Sequence, residues 1–560
     1  MLFRSYLESL SALGEDQAGF REGYSTLNHI FVLHCLIDFY LQRKKRLYCA
    51  FIDYSKAFDL IDRSTLWMKV LNLGIRGNII NVIFNLYSKA KSCVKNGNDL
   101  SQLFNCNVGV RQGENLSPLL FAIYLNDFAL YVSQEYEGLA FVSEETSRLL
   151  GDEAVDMFLR LYILLYADDT IVLAESPLQL QHALNSVKDY CDKNYLKLNL
   201  TKTKIIVFSR GKIRNIPKFF YGNEQVEVVK DYVYLGVKFN YNGSFTKAME
   251  KQTDQARKAM FSMLTKARRL QLPVDIQIEL FEKTVLPVLL YGCEVWGCAN
   301  IDAIEVFYRK FLKIILKVGK ATPNCIVYGE TGRLPLQFNI FKRITSFWLK
   351  ITEDKPKKIA TKFYCIMFKL QNTGEYNFKW LNTVKSILET TGHINLWEQQ
   401  EQYTTKKHIV KHIPSAVKES IISITKEKIE SGSRCTNFKI FKKHLNFEQY
   451  LTILSPRHRI IMSKFRCGYN RLPINDFRFF GTADVSEKHC KLCTLGEIGD
   501  EYHYLFSCPY FLYERKLYLK NEFTVNPNAN KMCKLFNSKS KLVLVNLAKF
   551  QNVIMSKFQT

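Results

Sequence analysis

Leu164-Leu165-Tyr166-Ala167-Asp168-Asp169-Thr170-Ile171-Val172-Leu173 decides how the rest of the chain is read. An apolar run enters, two adjacent carboxylates follow, and a second apolar run leaves. Short apolar runs on either side of a polar turn predict a β-hairpin in a buried sheet, with Asp168 and Asp169 lifted to the end of two strands. Two carboxylates about 4 Å apart repel by roughly 4 kcal/mol at an effective dielectric near 20. A bound divalent cation removes that repulsion, and Mg²⁺ favours oxygen ligands of this kind. Paired aspartates also cap helices and sit in solvated turns, so the pentapeptide alone leaves both readings open.

A third carboxylate weighs on the choice. Leu47-Tyr48-Cys49-Ala50-Phe51-Ile52 is a buried strand candidate, and Asp53 stands at its end. If this strand neighbours the hairpin, Asp53, Asp168 and Asp169 form one cluster able to hold two metal ions. Such a site lowers the pKa of an attacking hydroxyl and stabilises a leaving pyrophosphate.

Residues 1–46 read as helical, with Leu27, Ile30, Phe31, Leu33, His34 and Ile37 on one face after Ser25-Thr26. Arg43-Lys44-Lys45-Arg46 closes that segment as a solvated loop, with a phosphate contact or a nuclear signal as alternatives. Helices are predicted from about Ser64 to Gly74 and from Asn78 to Lys89. Asn96-Gly97 signals a hairpin between Ser92–Lys95 and Leu103–Val108. Ser117 and Pro118 open an apolar helix to Asp127, and Leu178 to Asn194 is amphipathic. Strands are expected over Lys204 to Ser209 and over Tyr232 to Phe239, with Gly236 inside the second. This alternation argues for a mixed α/β layer with helices on one face. Beyond about residue 245 the pattern turns helical and basic, over Phe245–Leu270, Asp275–Tyr291 and Ile301–Lys317, and continues so to about 480. Glu353-Asp354-Lys355-Pro356-Lys357-Lys358 reads as a linker.

The chain has 560 residues, 47% of them hydrophobic, enough for several domains with a large core. No apolar stretch reaches about 18 residues, so no membrane span is expected. The start lacks a signal peptide, and the 15 cysteines are expected as reduced thiols or metal ligands. Lysine and arginine total 78 against 53 acids, a formal charge of +25. That excess points to a polyanionic partner, most simply nucleic acid.

Three ordered segments resemble motifs of reverse transcriptases, above all those of non-LTR (LINE-type) retrotransposons. They are Phe51 to Asp59, Gly109-Val110-Arg111-Gln112-Gly113 with Leu116 to Phe121, and Tyr166-Ala167-Asp168-Asp169. Gln17-Ala18-Gly19-Phe20-Arg21 resembles the segment before the first catalytic aspartate; Leu198-Asn199 with Lys202-Thr203-Lys204 resembles the motif after the hairpin. Tyr234-Leu235-Gly236 is similar to the primer-grip turn, and Pro287 to Gly292 with Glu294 to Gly297 to a stretch following the thumb.

The resemblance implies an α/β polymerase palm of the right-hand fingers, palm and thumb type, followed by a mainly α-helical C-terminal region with a small zinc knuckle. On it, residues 1–240 would be partial fingers and palm, 241–300 thumb, 301–480 the helical region, 481–515 the knuckle and 516–560 a tail. The implied activity is RNA-directed DNA polymerisation, adding deoxynucleotides to a DNA 3′-hydroxyl on an RNA template with two Mg²⁺ ions. Asp53, Asp168 and Asp169 would hold the metals. Lys202 would be the cation beside the pyrophosphate, with Lys204 as runner-up. Phe58 would exclude a ribose 2′-hydroxyl, Gln112 and Gly113 would lie along nucleotide and template, and Leu235 and Gly236 would grip the primer. Implied partners are the RNA template, a DNA primer or target, deoxynucleoside triphosphates and an element-encoded nucleic-acid-binding protein. The implied location is a cytoplasmic ribonucleoprotein and the nucleus.

Two departures qualify the match. The chain begins too late for the family's first fingers motif and for an endonuclease domain, so an N-terminally truncated protein is expected. Glu114-Asn115 also stands where the family often has Cys-Pro. The alternative is a catalytically inactive nucleic-acid-binding remnant. An RNA-dependent RNA polymerase is disfavoured by Phe58 and by Ala167 before the aspartate pair.

A separate metal signal lies near the C-terminus. Cys490 and Cys493 are followed by His503 and Cys508, a Cys₃His set suited to closed, structural tetrahedral zinc. His489 is an alternative ligand, and Cys467 lies too far upstream. Lys464, Arg466, Arg471 and Arg478 would add phosphate contacts, although singly each reads as a solvated charge.

Overall fold

In the computed structural model the described residues are 3, 6–7, 12–15, 17–133, 163–353, 358–398, 406–475 and 488–558, of which 406–411 are described by backbone alone. The chain divides into two compact units that are not successive stretches. The first comprises Met1–Ala248, Gly292–Ala299 and Ser346–Lys385; the second comprises Met249–Tyr291, Asn300–Thr345 and Ser386–Thr560.

The first unit is built around strand β1 (Leu47–Ile52), in which all six residues are buried. It follows helix α1 (Thr26–Gln42) and precedes α2 (Arg63–Asn72), which is capped by the Asp62 side chain accepting from Thr65 N–H. Helix α3 (Asn78–Ser88) leads into four two-residue strands, β2 (Lys91–Ser92), β3 (Lys95–Asn96), β4 (Asp99–Leu100) and β5 (Phe104–Asn105). After them come α4 (Ser117–Tyr124), α5 (Phe128–Ser133), β6 (Ile163–Tyr166), β7 (Asp169–Ala174) and α6 (Pro177–Lys193). The series ends with β8 (Lys204–Phe208), β9 (Phe219–Tyr221), β10 (Glu224–Val226), β11 (Asp231–Tyr234) and β12 (Val237–Asn240).

Four strands form the main sheet in the order β6-β7-β1-β8, every neighbour antiparallel. Strand side chains alternate between faces. Tyr48, Ala50 and Ile52 accordingly join one core with Leu66 and Val70 of α2, Leu120 and Phe121 of α4, and Leu184 and Val187 of α6. Phe51, on the opposite face, stacks on Tyr232 at 4.6 Å between ring centroids. The hairpin β11–β12 is thereby seated behind the central strand.

Three expectations for the first unit need correction. Residues 1–46 are not helical throughout. The described residues 12–15 and 17–25 lie outside any helix, and Gln17 instead forms a parallel bridge with Leu165. Phe20 at φ 60° and Gly23 at φ 79° are incompatible with a continuing right-handed helix. Tyr232 to Phe239 is not one strand: Leu235 and Gly236, at φ 45° and 82°, turn the chain between β11 and β12. Two positive φ values in a two-residue loop are the type I′ pattern, whose twist suits a hairpin. Finally, the Asn96-Gly97 hairpin is tighter than expected, since Asn96 pairs directly with Asp99.

The second unit is helical, as the basic, amphipathic pattern predicts. Among its helices are α7 (Asp302–Leu316), α8 (Asn324–Thr331) and α9 (Pro456–Arg466). Arg466 is not available to phosphate. Its side chain is 0% exposed, pairs with Glu330 at 2.8 Å and Glu448 at 2.9 Å, and lies 4.5 Å from the Phe441 ring. A guanidinium so enclosed holds helices together, because removing one partner would leave a buried charge uncompensated. The linker expected over 353–358 falls mostly outside the described residues, as does Arg478. Among the described residues, no helix is long and apolar enough to cross a membrane.

Candidate functional site

The β1–β7 register brings the carboxylates together. Ile52 pairs with Thr170, so Asp53 and Asp169 leave the same end of adjacent strands. Asp168 is the second residue of the two-residue loop that joins β6 to β7. Ala167, the loop's first residue, has φ 58°, which for an L-residue costs about 1–2 kcal/mol. Buried hydrogen bonds hold it there. Gln17 Oε1 accepts from Ala167 N–H at 3.1 Å and from Gly19 N–H at 2.9 Å, and Ala18 N–H donates to Leu165 C=O at 2.9 Å. A Cβ on Gly19 would lie 2.3 Å from the Ala167 nitrogen, so only glycine allows this approach. Arg21, itself buried, ties the segment down by donating to Gly14 C=O and Gln17 C=O at 2.7 and 3.1 Å.

Asp53 is braced by the chain before β8. Its N–H donates to Thr203 Oγ1 at 3.2 Å, and its C=O accepts from Asn199 N–H at 2.8 Å. Lys202 Nζ lies 3.7 Å from Asp53 Oδ2. Lys204 instead pairs with Glu227 at 2.8 Å, which separates the two lysines that the sequence left in competition. Partial desolvation, then the charges of Asp168 and Asp53, push the Asp169 carboxyl up to about 6. Asp169 itself stands exposed at this sheet end. Asp168 is raised as well, by desolvation first and by Asp53, with Lys202 opposing. Three acids and one lysine thus leave an excess of negative charge and a set of oxygen donors, which fits a hard divalent cation.

A second feature adjoins this sheet end in sequence. An open cavity of about 790 Å³ is lined by Phe20, Phe58, Gln112, Gly113, Pro118 and Leu119, among others. Phe58 stacks on Phe121 at 4.8 Å, and its C=O accepts from Val110 N–H at 2.8 Å. Gln112 Nε2 donates to Asp59 Oδ1 at 3.1 Å. Phe58, Gln112 and Gly113 therefore line one cavity. Two further residues take part: Asp59 orients the Gln112 amide, and Phe20 forms part of the wall. Glu114, at the departure from the family pattern, pairs with Arg111 at 2.8 Å.

Residues 2–239 match the family model described as reverse transcriptase (RNA-dependent DNA polymerase). The chain carries a reverse transcriptase domain. Its relatives include the RNA-directed DNA polymerase from mobile element jockey of Drosophila funebris, 25% identical over 321 residues, covering 55% of this chain and 32% of the relative. Another is the Retrovirus-related Pol polyprotein from type-1 retrotransposable element R2 of Popillia japonica, 24% identical over 328 residues, covering 55% and 42%. The chain thus spans about a third to two fifths of these relatives' length. Among solved structures, apo telomerase from Candida tropicalis aligns with a TM-score of 0.32 at 14% identity, covering 74% of this chain and 60% of that one.

The second unit holds a cluster outside the reverse transcriptase domain. Ligand atoms of Cys490, Cys493, His503 and Cys508 all lie within 4.8 Å of one another. Cys490 and Cys508 Sγ are 3.9 Å apart, and Cys493 Sγ is 3.5 Å from His503 Nε2. Glu497 Oε2 lies 2.7 Å from His503 Nδ1 and so orients the ring with Nε2 inward. Arg515 donates to the carbonyls of Leu505 and Cys508, both at 2.8 Å, and closes the turn that carries His503 and Cys508. Among the described residues the cluster has these four members; His489 and Cys467 are not in it.

The raised Asp169 carboxyl has a consequence for stability. The folded state holds that proton more tightly than the unfolded chain, so ionising it opposes folding. The penalty is absent below about pH 4 and complete above about 6. Asp169→Asn should therefore raise the melting temperature of metal-free protein relative to wild type at pH 7.5, with the difference vanishing near pH 4. Thermal unfolding in chelator across that range checks this, and an equal difference at both ends would contradict it.

Proposed function

We propose that this chain is the RNA-directed DNA polymerase of a non-LTR retrotransposon, adding deoxynucleotides to a DNA 3′-hydroxyl on an RNA template. The observation that carries the reading is the meeting of Asp53, Asp168 and Asp169 at one sheet end. Asp53 and Asp168 would bind two Mg²⁺ ions, with Asp169 completing the set. Such ions, when bound, neutralise charge on the triphosphate and make the attacking hydroxyl more acidic. In the reaction the 3′-oxygen forms a bond to the α-phosphorus while the bond to the β-phosphate oxygen breaks and pyrophosphate leaves. Lys202, 67% exposed and facing Asp53, is positioned to donate a hydrogen bond or proton to that leaving group.

Phe58, backed by Phe121, would stand under the incoming sugar and leave no room for a 2′-hydroxyl. Gln112, oriented by Asp59, and Gly113 would line the nucleotide and template side of the cavity. Leu235 and Gly236 would hold the primer end. The Cys₃His cluster would bind structural zinc, since four soft and imidazole donors leave no open position for chemistry. On this reading 1–240 serve as partial fingers and palm, 241–300 as thumb and 481–515 as knuckle, and the protein works in a cytoplasmic ribonucleoprotein and the nucleus.

Purified protein should extend a DNA primer on an RNA template with deoxynucleotides and Mg²⁺, and Asp168→Asn should abolish extension; retained extension in that variant would refute the assigned site. Phe58→Ala should raise ribonucleotide incorporation by about 10-fold or more, roughly 1.4 kcal/mol of lost discrimination, read in single-nucleotide extension. Zinc should co-purify at one equivalent and be lost in Cys490→Ser. Strong chelation should also lower the melting temperature of wild type and leave that of the variant unchanged.

A further inference from the structure

The main sheet has a second charged end. Strand β1 is six residues long, so this end lies about 20 Å from Asp53 at roughly 3.3 Å per residue. Two basic loops leave it side by side. Residues 43–46, Arg43-Lys44-Lys45-Arg46, precede β1, and residues 210–218 follow β8; the register pairs Leu47 with Phe208. The second loop is held there at both of its ends. Ser209 N–H donates to Tyr241 C=O at 2.9 Å, and Phe219 rests edge-on against Tyr48 with ring centroids 6.3 Å apart.

Arg210-Gly211-Lys212-Ile213-Arg214-Asn215-Ile216-Pro217-Lys218 contains four cations and no acid. All four are exposed, as are Lys44, Lys45 and Arg46. Of the acids near this end, Glu175 accepts from Tyr40 and lies within electrostatic reach of Arg43 and Lys45, Asp231 pairs with Lys238 at 2.7 Å, and Asp192 with Lys188 at 2.6 Å. Seven exposed cations on two adjoining loops suit a phosphodiester backbone. Beside them Phe220 is 40% exposed, and its backbone is pinned by the Gln181 amide through two bonds of 2.9 Å. A fixed aromatic face among cations holds unpaired bases, whereas a duplex keeps its base faces stacked internally.

We propose that this end of the sheet binds single-stranded RNA, through phosphate contacts from both loops and a stacking contact at Phe220. Naming that strand as template outside the cleft rests on the polymerase reading; the binding itself does not.

The test uses the full chain carrying Asp168→Asn and an unstructured, labelled RNA of about 30 nucleotides. Two variants are compared, Lys44→Gln/Lys45→Gln/Arg46→Gln and Arg210→Gln/Lys212→Gln/Arg214→Gln. Each should weaken binding about 10-fold at low salt and reduce the slope of log affinity against log salt by about 2, near 0.7 per lost contact. Arginine replacements of Lys44, Lys45 and Lys212 should bind as the parent does, and melting temperatures should be unchanged. Phe220→Leu should weaken RNA several-fold without affecting a DNA duplex. Unchanged affinity and slope in both triple variants would overturn the proposal, as would a loss equal for RNA and duplex with Phe220→Leu silent. Wild type that extends primers while the loop variants bind RNA normally would sink this proposal alone. Loop-dependent RNA binding by a chain that extends no primer would sink only the polymerase reading.

Discussion

Ile52 lies opposite Thr170, and the candidate site depends on that pairing. Side chains on a strand alternate with a period of two, so a slip by one residue would turn Asp53 to the other face and bury Phe51 where Ile52 now packs. The slip is prevented by what each face buries. Tyr48, Ala50 and Ile52 belong to the core under α2, α4 and α6, while Phe51 fits Tyr232 behind the sheet. The geometry of three exposed or half-exposed acids is thus set by apolar packing that contains none of them.

The acids also oppose the arrangement that holds them, since desolvation first and mutual repulsion second raise the carboxyls of Asp168 and Asp169. Gln17 and Gly19 supply part of the compensation. One amide oxygen fixes the loop through Ala167 N–H and fixes the loop's neighbour through Gly19 N–H. The strained hairpin is therefore held from behind by neutral hydrogen bonds, and the charged face stays open toward solvent.

Local signals made much of this legible. The apolar run of β1, the apolar-acid-acid-apolar order of the hairpin and the amphipathic α6 each announce themselves within about ten residues. What could not be read lay in contacts between distant residues. Arg466 looks like a free cation in its own segment, because Glu330, its partner, stands 136 positions away. Gly19 carries no sign that a backbone nitrogen from residue 167 will lie against it. Gly236 carries two conflicting signals: Tyr232 to Phe239 has a continuous strand-like composition, the likeness of Tyr234-Leu235-Gly236 to a primer-grip turn points the other way, and the two positive φ values decide for the turn. Asp59 gained its role through the Gln112 amide, a partner 53 residues on.

Charge distribution joins the two ends of the sheet in one argument. The formal charge of +25 does not gather around the acids, where among the described residues Lys202 is the cation within ion-pair distance of Asp53. A cluster of positive side chains there would neutralise the carboxylates directly and compete with any divalent cation for their oxygens. Cations placed at the opposite end of β1 act on a polyanion without that competition. Coulomb interactions across about 20 Å of solvent-exposed surface are largely screened, because the Debye length is about 8 Å at physiological salt. The six buried residues of β1 thus separate a negative end that suits metal chemistry from a positive end that suits a phosphate backbone, and each can be strongly charged without cancelling the other.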